Sequence, residues 1–169
     1  MKKIVLSILV ENTSGVLNRV AGLFSRRGYN IDSLTVGETE DPAFSRMTIV
    51  VGGADEVLEQ IVKQINKLVD VKEIVELKGG LSVCRELILA KVSVTPEQRQ
   101  QVIAIADIFR AKIVDVAHDS IMLELTGNES KLNAFIGLLE GFQIKEIVRT
   151  GITGLKRGST DIIGDSLED

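Results

Sequence analysis

The chain has 169 residues and a formal net charge of -4, with apolar residues making up 44% of it and aromatic residues only 4%. An acidic chain lacks the broad basic field that recruits nucleic-acid backbones, and so few aromatic side chains leave little surface on which bases could stack. The composition therefore argues against nucleic acid as a partner and predicts an aliphatic core.

The cysteine and histidine counts restrict the chemistry further. One cysteine, Cys84, cannot form an internal disulfide, and together with the single histidine, His118, it cannot complete a zinc-type ligand set. No stretch approaches membrane-spanning length, and the N-terminus shows no apolar leader. We therefore predict a cytoplasmic protein with no metal site and no membrane contact.

The first half of the chain alternates strand and helix patterns. Its strands are β-branched or aliphatic runs, and its helices carry apolar residues on one side. The predicted elements are, in chain order, a strand over 3–10, a helix over 15–27, strands over 29–36 and 45–51, a helix marked by the apolar stripe from 57 to 69, and a strand over 71–77. Right-handed crossovers then place both helices on one face of a four-stranded antiparallel sheet, which is the ferredoxin-like βαββαβ arrangement.

The second half repeats this order after the glycine pair at 79–80. Its predicted elements are a strand over 84–95, a helix over 96–109, strands over 113–116 and 121–125, a helix over 130–139 and a strand over 144–149. The predicted fold class is therefore α+β, with two tandem ferredoxin-like units. We place the domains at 1–78 and 84–158, with a linker over 79–83 and a flexible acidic tail over 159–169.

The junction between the first strand and the first helix, Glu11 to Gly15, is predicted to bind a small anion. A helix start leaves backbone N–H groups unpaired and carries partial positive charge, and a carboxylate satisfies both. Gly15 has no Cβ, so a ligand could approach the main chain closely, while Ser14 or Asn12 could cap the helix. The alternative is an ordinary capped helix start without a ligand, because such turns commonly use Asn, Ser and Gly for local reasons.

The first strand is apolar on both faces, with Ile4, Leu6, Ile8 and Val10 on one side and Val5 and Leu9 on the other. Apolar surface of this kind must be covered. We predict a homodimer, formed by sheet extension or face packing, in which the junction lies near another protomer and a ligand is shared between chains. The alternative is that the C-terminal half covers the strand within one chain.

No set of residues in the sequence supports catalysis. His118 lies in a predicted turn, Cys84 has no histidine nearby in sequence to activate it, and the chain contains neither a Gly-x-Ser-x-Gly elbow nor a Walker loop. A stand-alone enzyme would need a proton-transfer group near the junction, and we find none. We therefore predict a protein that senses a metabolite rather than one that transforms it.

Several runs of the sequence resemble the small regulatory subunit family of acetohydroxyacid synthase, also called acetolactate synthase. The most specific is Arg27-Gly28-Tyr29-Asn30-Ile31, within the longer match over 25–36. The other matching runs are 11–17, 45–49, 68–71, 85–87, 126–127, 131–135 and 154–158. The resemblance covers nearly the whole chain and implies that the N-terminal half is an ACT domain.

This resemblance implies a non-catalytic subunit of branched-chain amino acid biosynthesis. Such a subunit binds a large thiamine-diphosphate enzyme, raises its activity and confers feedback inhibition by a branched-chain amino acid, typically valine. No cofactor is then expected in this chain, whereas thiamine diphosphate, Mg²⁺ and FAD are expected on the catalytic partner. The alternative function is an ACT-type amino-acid sensor that acts on a different enzyme or on a transcription partner.

The effector-binding residues that the resemblance implies are Asn12, Gly15 and Asn30, each of which matches the family at its position. We add the two neighbours of Gly15, Ser14 and Val16, to the predicted set. In this hypothesis the carboxylate of valine lies on the N–H groups near Gly15, the two asparagine amides bind its polar groups, and its isopropyl group enters an aliphatic interface. No catalytic residue and no metal ligand is predicted.

Overall fold

A computed structural model describes residues 2–159, 161 and 162. The chain divides into two compact units. The first contains the described residues up to Val83 together with those from Ile152 onward, and the second runs from Cys84 to Gly151. No helix among the described residues is both long and apolar enough to cross a membrane.

The first unit contains a four-stranded antiparallel sheet in the order β2-β3-β1-β4. Its elements are β1 (Lys2–Glu11), α1 (Val16–Arg26), β2 (Ile31–Glu38), β3 (Phe44–Gly53), α2 (Asp55–Asn66) and β4 (Val71–Glu76). The two long strands β1 and β3 pair along their whole length in the centre, and β2 lies at one edge. The ferredoxin-like order is as predicted.

The core of the first unit lies between this sheet and its helices. Alternate residues of β1 are buried there, together with the apolar stripes of α1 and α2, because strand residues two apart share a face and helix residues three or four apart share a stripe. The largest fully buried side chains in this core are Phe24, Leu6, Ile8, Met47, Ile49, Ile61 and Ile65. Apart from Phe24 and Met47 this set is aliphatic, as the composition predicts.

The opposite face of β2 contacts a segment from the far end of the chain. Ser33 Oγ accepts a hydrogen bond from the backbone N–H of Ile152 (2.8 Å), and Thr35 Oγ1 donates to the carbonyl oxygen of Ile152 (3.2 Å). The backbone N–H of Arg157 also donates to the carbonyl oxygen of Leu81 (2.9 Å). Part of the cover over β2 therefore comes from its own chain, whereas these contacts leave open what covers the first strand.

The second unit repeats the topology with the strand order β6-β7-β5-β8. Its elements are β5 (Ser82–Ser93), which begins just before the unit boundary, α3 (Pro96–Phe109), β6 (Lys112–Val116), β7 (Ser120–Gly127), α4 (Glu129–Leu139) and β8 (Gln143–Arg149). A short strand, β9 (Thr153–Lys156), follows β8 in the chain. The predicted fold class, α+β with two tandem ferredoxin-like units, is confirmed.

The second core is again largely aliphatic and contains one pair of aromatic rings in contact. Phe109 at the end of α3 meets Phe135 of α4 edge to face, with ring centroids 5.4 Å apart. Such pairs stabilise by about 0.5–1.5 kcal/mol beyond the area that they bury. This contact ties the two helices of the unit together over the sheet.

The end of the second domain differs from the sequence prediction. The prediction extends that domain to residue 158, whereas the structure groups the described residues from Ile152 onward with the first unit. β9 lies in this segment and is absent from the predicted elements. Most of the predicted flexible tail over 159–169 lies outside the described residues.

Candidate functional site

The loop between β1 and α1 depends on the backbone conformation of Gly15. This residue occupies the N-cap position of α1 with φ 86° and ψ -10°, in the left-handed region. Residues with a Cβ pay a steric cost there, and glycine does not. Glycine is therefore strongly favoured at this turn, and the space where a side chain would lie is next to the guanidinium of Arg19.

The first turn of α1 lacks the groups that normally neutralise a helix start. No side chain caps it, and none of its first residues is acidic. By contrast, α3 has a capping box from Thr95 with Glu97 in its first turn, and α4 has an Asn128 cap followed by Glu129. The prediction that Ser14 or Asn12 caps α1 is therefore wrong. The unpaired N–H groups and the positive end of the helix dipole remain available to an anion.

Asn12 is used to fix the loop instead of capping the helix. Its backbone N–H donates to the carbonyl oxygen of Ala43 (2.8 Å), and its Nδ2 donates to the carbonyl oxygen of Pro42 (2.9 Å) and lies 3.4 Å from Glu38 Oε2. These contacts attach the loop to the turn that joins β2 to β3. Since they use the amide nitrogen, Oδ1 is the atom of Asn12 that could accept a hydrogen bond from an amine.

The two neighbours of Gly15 have different environments. Ser14 is exposed in the loop, where its hydroxyl could reach a ligand. Val16 is 3% exposed and packs into the core of the first unit, so only its backbone N–H could face an effector. If Val16 contacts an effector, it does so through its backbone N–H and not through its side chain.

Asn30 lies at the other end of the sheet. It directly precedes β2, whose first residue Ile31 pairs with Val51, whereas the last residue of β2, Glu38, pairs with Ser45 beside Asn12. At 3.3 Å per residue, the seven steps along β2 separate these ends by roughly 23 Å. The structure therefore brings Asn12, Ser14, Gly15 and Val16 together within one chain, but it does not bring Asn30 to them.

The side chain of Asn30 is exposed and is held locally. Its Nδ2 donates to Asp32 Oδ1 (2.7 Å), and Asp32 Oδ2 lies 3.3 Å from Lys3 Nζ. An effector that binds Asn30 would contact a polar group that is already oriented by its neighbours.

An ion pair beside Gly15, between Arg19 and Asp70, is not among the residues predicted from the sequence. Arg19 donates from Nε to Asp70 Oδ2 (2.6 Å) and from Nη2 to Asp70 Oδ1 (3.1 Å), and the Asp70 side chain is only 9% exposed. The Arg19 hydrogen bond lowers the pKa of Asp70 below its ordinary value, and the same bond raises the pKa of Arg19. Arg19 follows Gly15 by four residues, so helical spacing could have indicated it, whereas nothing in the sequence indicates Asp70.

The two residues considered for catalysis are not at this loop. His118 is exposed in the turn between β6 and β7, and its carbonyl oxygen accepts a hydrogen bond from Arg99 Nη2 (2.7 Å). Cys84 is half-buried in β5. The loop and helix start therefore offer a binding geometry built from main-chain N–H groups, amides and one guanidinium.

Fold and loop together define a class of protein: an α+β chain whose first βαββαβ unit is an ACT domain with an uncapped helix start after its first strand. The family model for the ACT domain of acetohydroxyacid synthase small subunits matches residues 6–73. A second model, described as the small subunit of acetolactate synthase, matches residues 85–158.

Whole-chain comparisons agree. The probable acetolactate synthase small subunit of Archaeoglobus fulgidus is 52% identical over 154 residues, which cover 91% of this chain and 96% of that protein. The acetolactate synthase small subunit of Mycobacterium bovis is 52% identical over 157 residues, covering 93% and 94%. The crystal structure of the Thermotoga maritima small subunit superposes with a TM-score of 0.85 at 43% identity, covering 95% of this chain and all of that one.

The chain belongs to the acetolactate synthase small-subunit family. Members of this family are regulatory subunits of the enzyme complex and are not themselves catalytic. The family resemblance read from the sequence is thereby confirmed.

Proposed function

We propose that this chain binds the large catalytic subunit of acetolactate synthase in the cytoplasm, raises its activity and makes it subject to feedback inhibition by valine. Relatives that are about half identical over nearly their full length are named as small subunits of that enzyme, which supports the choice of partner. The thiamine diphosphate, Mg²⁺ and FAD of the reaction belong to the catalytic partner in this proposal.

The observation that carries the effector site is the open start of α1. Gly15 holds the left-handed turn, and neither a capping side chain nor an acidic residue of the first turn neutralises the helix end. The carboxylate of an amino acid supplies the charge and the hydrogen-bond acceptors that this helix start lacks. In this proposal Oδ1 of Asn12 accepts a hydrogen bond from the ammonium group of the same ligand.

The position of Asn30 supports a site shared between two protomers. Within one chain Asn30 lies roughly 23 Å along β2 from the Asn12 end, too far for one small molecule to contact both. β2 is an edge strand, so its outer N–H and C=O groups can pair with another strand. Antiparallel pairing of two β2 strands about a twofold axis sets Asn30 of one protomer beside the Asn12 loop of its partner.

The side-chain preference of the site follows from its size and polarity. In the proposed dimer the isopropyl group of valine enters the aliphatic seam between the β2 strands. A hydrophobic pocket discriminates one methylene by only about 1–3 kcal/mol. The preference for valine over leucine and isoleucine is therefore graded rather than absolute.

Inhibition requires that valine distinguish two states of the complex. A ligand with equal affinity for the activating and the inhibiting arrangement shifts neither population. A site shared across the interface between two protomers supplies such a difference in affinity. A rotation of one protomer against the other changes the distance between Asn30 of one chain and the Asn12 loop of its partner. The coupling is then also reciprocal, so that binding of the catalytic subunit alters the affinity for valine.

A reconstitution assay tests this function. The purified chain is mixed with an acetolactate synthase catalytic subunit, and the rate of acetolactate formation is measured with and without valine. The proposal expects a higher rate with the chain than without it, and a fall of that rate as valine is added. A rate that the chain does not change would exclude this partner and favour an ACT-type sensor acting elsewhere, and activation that valine does not reverse would exclude the effector.

A further inference from the structure

The guanidinium of Arg19 lies beside Gly15, at the start of α1. A Cβ built on Gly15 would meet Arg19 Nη1 at 2.9 Å and Arg19 Cζ at 3.7 Å. The cation therefore lies against the main chain of Gly15, in the space that a side chain at this position would need. It is within one turn of the main-chain N–H groups of Val16 and Leu17.

A cation is electrostatically out of place at this position. The amino end of a helix carries partial positive charge and is stabilised by anions, not by a guanidinium. Asp70 offsets the charge of Arg19, but no acidic side chain of the first turn of α1 offsets the partial charge of the helix start itself. A negative group bound between Arg19 and the helix start would interact favourably with both, and this is the electrostatic condition for a carboxylate site.

Asp70 holds the guanidinium there without using all of its donors. The two hydrogen bonds to Asp70 come from Nε and Nη2, whereas Nη1 is the nitrogen that faces Gly15. An arginine side chain has five N–H donors in a rigid plane, so fixing one edge also fixes the direction of the others.

The position of Asp70 is itself fixed. Its carbonyl oxygen accepts from the backbone N–H of Glu11 (2.9 Å), and the carboxylate of Glu11 is engaged by Lys72 Nζ (3.2 Å). Both ends of the ligand-binding loop are thus connected to the turn that contains Asp70. Arg19 is pre-oriented before any ligand binds, which reduces the entropy cost of binding.

We propose that Arg19 is a second anchor for the effector carboxylate, which it binds through Nη1 opposite the α1 N–H groups, and that Asp70 is the positioning residue for Arg19. This proposal rests on the function proposed above, since it concerns the same effector. It adds the full charge of a side chain to the N–H groups and partial charge of the helix start, so that most of the recognition of the carboxylate charge comes from Arg19. The site therefore selects an amino acid over its uncharged amide.

The test compares two ligands by titration calorimetry on the full chain: valine, and valinamide, in which an amide replaces the carboxylate. The variants are Arg19→Gln and Arg19→Lys, with Arg27→Gln as a matched control at the other end of α1, where Arg27 is exposed and contacts Gln64. Arg19→Gln should weaken valine binding about tenfold while leaving valinamide binding unchanged, so that the valine-to-valinamide ratio falls. Arg19→Lys should give a valine-to-valinamide ratio between those of Arg19→Gln and the wild type, and Arg27→Gln should give the wild-type ratio.

The double variant Arg19→Gln with Asp70→Asn distinguishes a ligand-binding role of Arg19 from a purely structural role of the Arg19–Asp70 ion pair. It removes both charges and leaves two amides that can still hydrogen-bond, so no buried carboxylate is left unpaired. The proposal expects the valine-to-valinamide ratio of this variant to be as low as that of Arg19→Gln. If a folded Arg19→Gln chain or the folded double variant keeps the wild-type valine-to-valinamide ratio, the role proposed for Arg19 is overturned and the proposed function is not. A wild-type chain that binds neither ligand would overturn the proposed function and this role with it.

Discussion

Asn12 donates its side-chain amide to the carbonyl oxygen of Pro42 at 2.9 Å, and so joins the loop before α1 to the turn between β2 and β3. The backbone N–H of Asn12 reinforces this link by donating to Ala43. Because the nitrogen of the amide holds the loop, the oxygen is the atom left for the proposed effector, and the proposal gives this one side chain both a structural and a ligand-binding role.

Asn12→Asp is expected to impair both roles. It removes the donor to Pro42 and adds a negative charge close to Glu38 and to the effector carboxylate. Valine binding should weaken about tenfold or more, since a lost hydrogen bond and a repulsive charge act in the same direction. The measurement is calorimetric titration with valine. Asn133→Asp, which adds the same charge at an exposed position of α4, should bind valine as wild type does.

Gly15→Asp should abolish valine inhibition while leaving the activation of the catalytic subunit. The substitution forces a residue with a Cβ into a conformation with φ 86° and places a carboxylate where the effector carboxylate would lie. The assay is acetolactate synthase activity as valine is increased.

Gly28→Asp is the matched control for backbone strain. Gly28 also has positive φ, 69°, but it lies beyond the other end of α1, and a Cβ added there would have no other atom within 4 Å. It should destabilise the fold comparably and keep valine inhibition. Equal inhibition curves for the wild type and Gly15→Asp would contradict the site.

The order of elements could be predicted from the sequence because each one depends on local patterns. The helix over 96–109 is predicted to the residue, since Pro96 fixes its first turn and Thr95 caps it through Gln98. The apolar stripe of α2 extends too far in the prediction. The helix ends at Asn66, and Val69 is 87% exposed in the turn that follows, where the N–H of Val71 donates to the carbonyl oxygen of Leu68.

The parts of the candidate site that escaped prediction depend on contacts between distant positions. Asp70 reaches Arg19 across 51 residues, and Pro42 reaches Asn12 across 30, so no local pattern encodes either pair. β9 escaped prediction because four residues that include Gly154 carry too little periodicity to mark a strand. The loop glycine could be predicted, since a strand followed by Gly and a helical pattern already implies an unusual turn.

Asn30→Ala should weaken valine binding by about 1–3 kcal/mol, because a polar group of the ligand is left without its partner. Calorimetry on the isolated chain measures this directly. An affinity equal to that of the wild type would remove Asn30 from the site.

Mixing two variants tests whether the site is shared between protomers. In a heterodimer of Asn12→Asp and Asn30→Ala chains, one shared site carries both substitutions and the other carries neither. Subunit exchange between the two variants should therefore restore tight valine binding to one site per heterodimer. If each site lies within a single protomer, every site in the mixture is defective and no tight binding returns.

The Arg19–Asp70 pair should make stability depend on acid pH. The hydrogen bond from Arg19 lowers the pKa of Asp70 in the folded chain. The resulting stabilisation is fully present above the unfolded-state pKa of about 3.9 and is lost as pH falls through the folded-state value. The unfolding free energy of the wild type minus that of Asp70→Asn should be constant near neutral pH and shrink below about pH 4. Urea unfolding of both chains at several pH values measures the difference, and a difference that does not vary with pH would contradict the assignment.

Glu86 and Arg149 form the corresponding ion pair of the second unit, and its stability contribution can be isolated. Arg149 donates from Nε and Nη2 to the two carboxylate oxygens of Glu86, both at 2.8 Å, and Glu86 is only 6% exposed. Glu86→Gln should lower the unfolding free energy by about 2 kcal/mol, because a bidentate charged contact is replaced while Arg149 remains partly hydrated. Glu146→Gln removes the exposed pair with Lys91 on the same strands and should cost less than about 0.5 kcal/mol. Equal losses for the two variants, measured by urea unfolding, would show that burial does not strengthen the Glu86 pair.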